Sequence, residues 1–463
     1  MKTIKSATGV LIRGKGRLTM RHAGSLAGAL AVLFGMACAG KAAAADPTVV
    51  WTQNVNQSLT NSDDMGNAVA VDSDGKTYVG GAVDVVSGTG QAATTALYPW
   101  VGIYDKNGAL YYKRVDYSQK ATGINAMVTD IAVDDKQNYY LVEGRWMAGS
   151  PLESDMVISE YNKNAIKIWT NQIGDINKKT IIPPTGSIAL DASNNVYILG
   201  NNYGTLGMVG GFPFAFIKKY DTTGKELWEK DYTPAGNSSR AAAITTDRQG
   251  NIYVIGTISS MAEGSYMWMS KYDADGAVVW TKTYNENVSA YPKGSPRGIS
   301  VDGTGNIFVS ANGAIALRKY DSSGNMLWSK DESGRNTSSN KLDPIYAANV
   351  ALDNSGNAYI AGRYVLADGL TFNIWINKYD TNGNSLWTQT CANTANLMRN
   401  GGTDIVVDGS YNVYVSGYEE AAGHGTNVWV RKYSQGADPA LQVTGTGTVR
   451  YLNLEGGFYG IVS

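Results

Sequence analysis

Two phrases, each repeated seven times, and a composition poor in charge and rich in glycine predict an all-β fold: a seven-bladed β-propeller of four-stranded antiparallel blades. The first phrase is "KYDTTGKELW" at Lys219–Trp228, with "KYDADGAVVW", "KYDSSGNMLW" and "KYDTNGNSLW" beginning at Lys271, Lys319 and Lys378. All seven copies are anchored on Tyr104, Tyr161, Tyr220, Tyr272, Tyr320, Tyr379 and Tyr433. The second phrase, typified by "VDSDGKTYVGG" and "TDRQGNIYVIG", starts at Asp72, Asp134, Asp191, Asp247, Asp302, Asp353 and Asp408, spaced 51 to 62 residues apart. The chain has 463 residues, of which 17% are charged, 54 are Gly, 29 Tyr and 11 Trp. That balance favours short strands and tight turns over helices.

The two phrases together supply four strands per unit. Around the fourth copy, "RAAAITTD" is an inner strand, "NIYVIGTI" the second, "MWMSKYD" the third and "VVWTKTY" the outer. Each alternates large apolar with small or polar residues, the period of a strand in a packed sheet. Repeats of about 55 residues with four strands each form the blades of a propeller. One blade cannot cover both its faces, and stacking blades around an axis buries them. The last copy, "VRKYSQGADPALQ", meets Pro439 where an outer strand is expected and lacks the Trp. The N-terminal "TVVWTQNV" (Thr48–Val55) matches the missing strand, with Trp51 in the Trp position. One N-terminal outer strand is therefore expected to complete the C-terminal blade and close the ring.

The phrases "VDSDGKTYVGG", "WVRKY" and "KYDSSGNMLW" resemble the bacterial SBBP-type β-propeller repeat of exported proteins, over roughly residues 48–441. The resemblance implies a fold and an exported protein, not a common reaction. "YDTTGKELW" is also similar to the Asp-x-x-Thr-Gly-Lys-x-x-Trp phrase of pyrroloquinoline quinone propellers.

Residues 1–45 read as an export signal of the Sec type, with Lys2, Lys5, Arg13, Lys15, Arg17 and Arg21 before the apolar "AGSLAGALAVLFGMACAG" and an A-x-A site ending at Ala45. Met20 offers an alternative start, and Cys38 an alternative lipoprotein cleavage. Cleavage at Ala45 leaves no transmembrane segment and a single thiol, Cys391, so no internal disulfide forms. The expected location is periplasmic, cell-surface or extracellular. Residues 46–441 are expected to form the propeller, and 442–463 a C-terminal β-tail of two strands around Glu455-Gly456-Gly457, read either as a hairpin or as the start of a truncated module.

Within each turn, Asp at the first position accepts backbone N–H bonds and Gly supplies the left-handed φ that ends it. Trp228, with Trp169, Trp280, Trp328, Trp387 and Tyr112 in the same place, is expected to pack between blades. Calcium binding is the competing reading, but one carboxylate per turn falls short of the six to eight oxygens that ion takes. A quinone cofactor would call for adjacent cysteines or a dedicated catalytic Asp. The expectation is a structural turn, no cofactor and no metal site.

A net charge of −1 gives no footprint for nucleic acid or an anionic membrane. Catalysis has little support: His424 is the one histidine after the signal, and no nucleophile-elbow, zinc-helix or phosphate-loop motif occurs. Recognition is expected on the end of the ring with the long variable connections, since loops on a rigid scaffold carry binding. Candidates there follow the second strand's closing glycine (Arg145, Arg363 and Tyr418, in a column with Ala82, Asn201, Thr257 and Asn312) or start inner strands (Asp130, Arg240, Arg297, Asn349 and Asp404). Arg145, Arg240, Arg297 and Arg363 could converge on an anionic or polyhydroxyl ligand. The favoured reading is plainer: solvated charges that pair with Asp130 and Asp404. A third-strand row of Trp100, Phe216, Trp268, Trp375 and Trp429 reads as inter-blade core in preference to a sugar platform. The sequence thus points to a monomeric, non-catalytic binding or scaffold module for a protein or glycan ligand. The alternative is a secreted glycosidase or lyase, which needs two carboxylates facing each other across the mouth, at least one with a raised pKa.

Overall fold

The computed structural model describes residues 46–55, 63–87, 94–118, 123–148, 150–174, 187–202, 214–232, 238–260, 264–284, 295–312, 315–331, 345–366, 371–391, 399–421, 425–435, 449–454 and 457–462. The expected signal with Met20 and Cys38, and also His424, lies outside the described residues.

β1 (Thr48–Val55) opens the chain. β2 (Met65–Val71), β3 (Thr77–Ser87), β4 (Thr94–Tyr104) and β5 (Leu110–Val115) form an antiparallel array in sequence order. The same order recurs in β6 (Ile124–Val133), β7 (Tyr139–Met147), β8 (Ser150–Tyr161) and β9 (Lys167–Ile173). It recurs again in β10 (Ser187–Leu190), β11 (Val196–Asn202), β12 (Phe214–Tyr220) and β13 (Glu226–Tyr232). The fourth array is β14 (Ser238–Thr246), β15 (Ile252–Ser260), β16 (Gly264–Tyr272) and β17 (Val278–Tyr284). A fifth comprises β18 (Ser295–Val301), β19 (Ile307–Asn312), β20 (Ile315–Tyr320) and β21 (Met326–Asp331). A single Asn312–Tyr346 bridge links it to the sixth, β22 (Ile345–Leu352), β23 (Ala358–Val365), β24 (Phe372–Tyr379) and β25 (Ser385–Cys391). β26 (Asn400–Val407), β27 (Val413–Ala421) and β28 (Gly425–Ser434) make a seventh, to which β1 adds as the fourth strand, antiparallel to β28. The described residues hold no helix, and the architecture is a β-propeller built from four-stranded antiparallel sheets. This compact unit spans Asp46–Gln435. In a separate unit, β29 (Val449–Leu454) and β30 (Gly457–Val462) pair as a hairpin.

Each first strand lies against the first strand of the next array, and β26 lies against β2. Large side chains from adjacent arrays interdigitate. Trp51, Tyr414 and Val428 share one cluster with Val69, Val79 and Trp100 of the first array. The third-strand row is core: Trp100, Trp268 and Trp429 are 0% exposed, and Phe216 and Trp375 are 2%.

The recurring phrase can now be read letter by letter. Its Tyr is buried in every copy. The Lys before it reaches over the second-strand aromatic ring, as Lys219 does at 5.1 Å from Tyr197 and Lys319 at 4.9 Å from Phe308. Its ammonium also donates to a turn carbonyl of the next array: Lys219 Nζ to Ala274 O at 2.9 Å, Lys319 Nζ to Thr381 O at 3.0 Å. Asp221 Oδ1 accepts from Thr223 N at 2.9 Å and Lys225 N at 3.0 Å, as the turn chemistry requires.

Gly224 has φ +81°, and a Cβ there would stand 2.5 Å from the ring of Trp169 in the preceding array. The same contact repeats between Trp228 and Gly276, Trp280 and Gly324, and Trp328 and Gly383. Trp51 makes it with Gly108 of the first array, where a Cβ would meet the indole at 2.7 Å. Trp387 instead donates Nε1 to Gln435 Oε1 at 3.2 Å, where the seventh copy leaves the pattern. The phrase holds each array to the next.

One junction departs from the rule. Between the first and second arrays Tyr112 replaces Trp, and Ala165, with φ 61°, replaces Gly. A stacked Tyr139–Tyr161 pair, centroids 5.0 Å apart, and Arg114 Nη1 donating to Tyr161 Oη at 2.6 Å take over there.

Three substitutions test this stitching by thermal and denaturant unfolding. Gly224→Ala should cost about 1–2 kcal/mol for its left-handed backbone alone, and more for the clash with Trp169. Ala165→Gly should be neutral or stabilise by up to about 1 kcal/mol, because it relieves the same strain. Trp51→Ala, at a side chain 8% exposed, should cost about 3–5 kcal/mol.

Candidate functional site

The first strands share an irregularity that builds the site. In six of them one extra residue bulges from the ladder: Asn67, Thr129, Ala242, Arg297, Ala348 and Thr403. A bulge re-aims its side chain, and all six line one cavity of about 520 Å³ bordered by the first strands of all seven arrays. The residue after the bulge is Asp130 in the second array, Asn349 in the sixth and Asp404 in the seventh.

These acids grip the next array's backbone. Asp130 Oδ2 accepts from Ile188 N at 2.9 Å and Ser187 Oγ at 3.0 Å, while Oδ1 accepts from Ile131 N at 2.8 Å. Asp404 Oδ2 accepts from Val69 N at 2.8 Å, and Oδ1 from Ile405 N at 2.8 Å and Asn349 Nδ2 at 2.6 Å. The bulge residues add to the belt: Thr403 Oγ1 donates to Gly66 O at 2.5 Å and Asn67 Nδ2 to Val128 O at 2.8 Å. Burial pushes the Asp130 carboxyl up to about 6 against its N–H donors. Burial, and then the charge of Asp130, push Asp404 up to about 7.

The candidate arginines do not pair with these acids. Arg145 forms a two-point ion pair with the fully buried Asp155, Nε to Oδ1 at 2.8 Å and Nη2 to Oδ2 at 2.7 Å, and Gln172 Nε2 supports Asp155 at 2.8 Å. The register also corrects its place in the repeat. Glu143 opposes Val128 as Gly81 opposes Gly66, so Glu143 occupies the closing-glycine position and Arg145 lies one residue beyond the expected column. Glu143 is buried, which raises its pKa, with the Arg114 charge opposing. Arg240 is exposed on β14 opposite Thr257.

Arg297 and Arg363 lie on adjoining arrays, linked through Asn312, which bridges to Tyr346, the residue opposite Arg363. Arg297, lining the cavity, donates Nε and Nη2 to Asn312 Oδ1 at 2.7 and 2.8 Å, with the amide turned so that Asn312 Nδ2 donates to Ala347 O at 2.7 Å. Arg363 Nη1 donates to Tyr418 Oη at 2.6 Å. Its ζ-carbon sits 5.0 Å from the Tyr346 ring centroid and 4.6 Å from that of Phe372. Sequence reasoning missed Asp155, Tyr346 and Phe372, which belong to no repeated column. Asn201 and Asn312 stood in a column whose role was not apparent. Asn201 accepts from Ala241 N at 2.7 Å and donates to Ala241 O at 3.2 Å, another staple between arrays.

The second-phrase turns are saturated internally. Asp353 Oδ1 accepts from Ser355 N and Asn357 N at 2.9 Å, and Oδ2 from Asn357 Nδ2 at 2.8 Å and Tyr359 Oη at 2.7 Å. Four donors on one carboxylate leave no lone pair aimed at an ion. Among the described residues no group of three or more His, Cys, Asp or Glu is arranged to hold a metal, and no helix is long and apolar enough to cross a membrane.

The family model described as outer membrane protein assembly factor BamB matches residues 214–446. No curated protein matches the sequence. Similar solved structures include virginiamycin B lyase from Staphylococcus aureus, at 11% identity and a TM-score of 0.48, covering 83% of this chain and 99% of that one. The polysaccharide lyase Uly1 is similar at 11% identity and TM-score 0.46, covering 80% and 90%. The Hadza microbial sialidase Hz136 is similar at 8% and 0.45, covering 85% and 97%.

Asp130 and Asp404 make stability depend on pH in a defined direction. A carboxyl with a raised folded pKa keeps its proton where the unfolded chain has lost it, so stability falls as pH rises from about 4 through 7. In thermal unfolding across that range, Asp404→Asn should flatten the decline seen in the parent protein. Parallel curves would show that Asp404 stays ionised throughout.

Proposed function

Because the chain belongs to the family of outer membrane protein assembly factor BamB, we propose that it is an exported, non-catalytic seven-bladed β-propeller that serves as a binding scaffold at the cell envelope. In this reading residues 1–45 are a signal that is removed, β1 closes the ring onto β28, and the mature chain is a monomer. The SBBP-type character of the repeat belongs to the same proposal. The partner, a protein or glycan, docks on the end opposite the tight turns, where the variable connections gather.

One observation carries the scaffold reading: both cavity carboxylates are committed to holding the next array's backbone, each with three donors. Oxygens so engaged already accept from the protein, which leaves little of either carboxylate to take a proton from a substrate. The BamB family match and the shared cluster around Trp51 support the envelope location and the closure respectively.

A second reading, a polysaccharide-acting enzyme, draws on the same pair, because raised carboxyls on separate arrays line one cavity. Photocrosslinking in cells separates the two. A benzophenone amino acid at exposed Ala148, on the loop-rich end, should give a discrete adduct in the envelope fraction, and one at exposed Thr223, in a tight turn, should give none. Chain confined to the cytosol, or adducts from Thr223 alone, would refute the scaffold. Cleavage of a polysaccharide that is lost in both Asp130→Asn and Asp404→Asn would establish the enzyme.

A further inference from the structure

Arg297 and Arg363 are two cations brought together with only neutral partners. Three other arginines pair with a carboxylate, Arg145 with Asp155, Arg114 with Asp116 and Arg399 with Asp63, while Arg431 bonds Thr52 and Cys391. Arg297 has the oxygen of Asn312, and Arg363 has the Tyr418 hydroxyl and two rings. Neither guanidinium makes an ion pair among the described residues. The charge of Arg363, after burial, draws the pKa of Arg297 below the usual arginine range, so the two repel through a partly desolvated space.

The arrangement is also built. Asn312 bridges Arg297 to the carbonyl of Ala347 in the next array, which fixes the Nε–Nη2 edge and leaves Nη1 without an acceptor among the described residues. The Tyr418 hydroxyl takes Arg363 Nη1, so Nε and Nη2 remain, beside rings that restrict how the plane can turn. Both residues sit at the end away from the tight turns, Arg297 at the β18 bulge and Arg363 opposite Tyr346 on β22. Two like charges held without a counter-charge among the described residues cost electrostatic energy, which a bound anion would remove.

We propose that Arg297 and Arg363 form the two prongs of an anion-binding site at the loop-rich mouth of the central cavity, taking a tetrahedral dianion such as a phosphoryl or sulfate group. A dianion matches the two uncompensated charges, where a single carboxylate matches one. Its several oxygens can accept from N–H groups on two separate forks at once, the strong geometry for guanidinium. The proposal stands apart from the scaffold reading, because it asks only that a small anion bind.

Calorimetric titration of the mature chain with inorganic phosphate at low salt and about pH 7.5, where phosphate is mainly dianionic, tests it. Saturable one-site binding is expected, with acetate at least about tenfold weaker because it carries one charge. Arg297→Gln and Arg363→Gln should each weaken phosphate by about tenfold or more, and Arg297→Lys should fall between, keeping charge but losing the fork. Arg248→Gln, exposed in a tight turn at the other end, should bind as the parent does. Thermal unfolding of Arg297→Gln checks that its fold is intact, since that side chain is exposed. A second titration with glucose 6-phosphate separates sources: comparable binding assigns the site to an ester-borne group, and exclusion assigns it to the free anion. Absence of phosphate binding, acetate binding as tight as phosphate, or full affinity in Arg297→Gln would overturn the proposal.

Discussion

An indole laid on a glycine is the contact on which the rest of this molecule depends. Five junctions lay an indole on a bare, left-handed turn glycine of the next array, and the other two use Tyr112 against Ala165 and Trp387 with Gln435. Neither indole nor glycine works without its counterpart, since a side chain at the glycine would lift the ring and a smaller ring would leave a void. Because the third, fourth and fifth arrays each carry both halves, the contact passes from array to array in the same form. Trp51 on Gly108 is the instance that matters most, since it joins the first strand of the chain to an array nearly sixty residues later. That strand is simultaneously paired with β28, so one short segment ties both ends of the unit.

The inner belt works on a different principle. There the arrays meet through first strands with small side chains, too narrow for indoles, and polar groups take over. Asp130, Asn349, Asp404, Asn67 and Thr403 bond across to neighbouring strands. Their carboxyls are pushed toward neutral by burial while three donors each pull the other way. Such a group is a structural staple with a functional group's pKa, which is why a raised value alone does not identify a catalyst. Arg297 differs from every other member of the belt: it is the one charged side chain at a bulge, and the charge of Arg363 acts on it.

Much of this was legible in the sequence because repetition multiplies a weak signal. One Asp-x-x-Gly turn says little, whereas five in register, each followed by a ring four residues on, specify a turn and a packing contact together. The strand order, the fourth strand supplied by Thr48–Val55 and the buried third-strand aromatics all follow from that alignment. It failed where one copy broke rank. "YYLVEGRW" was aligned on its visible glycine, but the pairing puts Glu143 in the glycine slot and carries Arg145 past the mouth to Asp155. Nothing local signals that shift, since Asp155 lies on the next strand and its burial is a tertiary fact. The site was less legible still. The pairing of Arg363 with Tyr418, Tyr346 and Phe372 joins residues from four different strands and two arrays. Recognition resides in what the copies do not share, and there a repeat gives no help.

The central claim, that β1 is an integral strand of the unit and locks it through Trp51, is tested most directly by native-state hydrogen exchange of the β1 amides. If the account holds, the β1 amides bonded to β28 exchange only through global opening, with the same free energy and denaturant dependence as those of β27 at the centre of the same sheet. Exchange of β1 through a local opening several kcal/mol below the global value, with β27 still protected, would contradict it and reduce the N-terminal strand to an ornament on an arrangement held by other means.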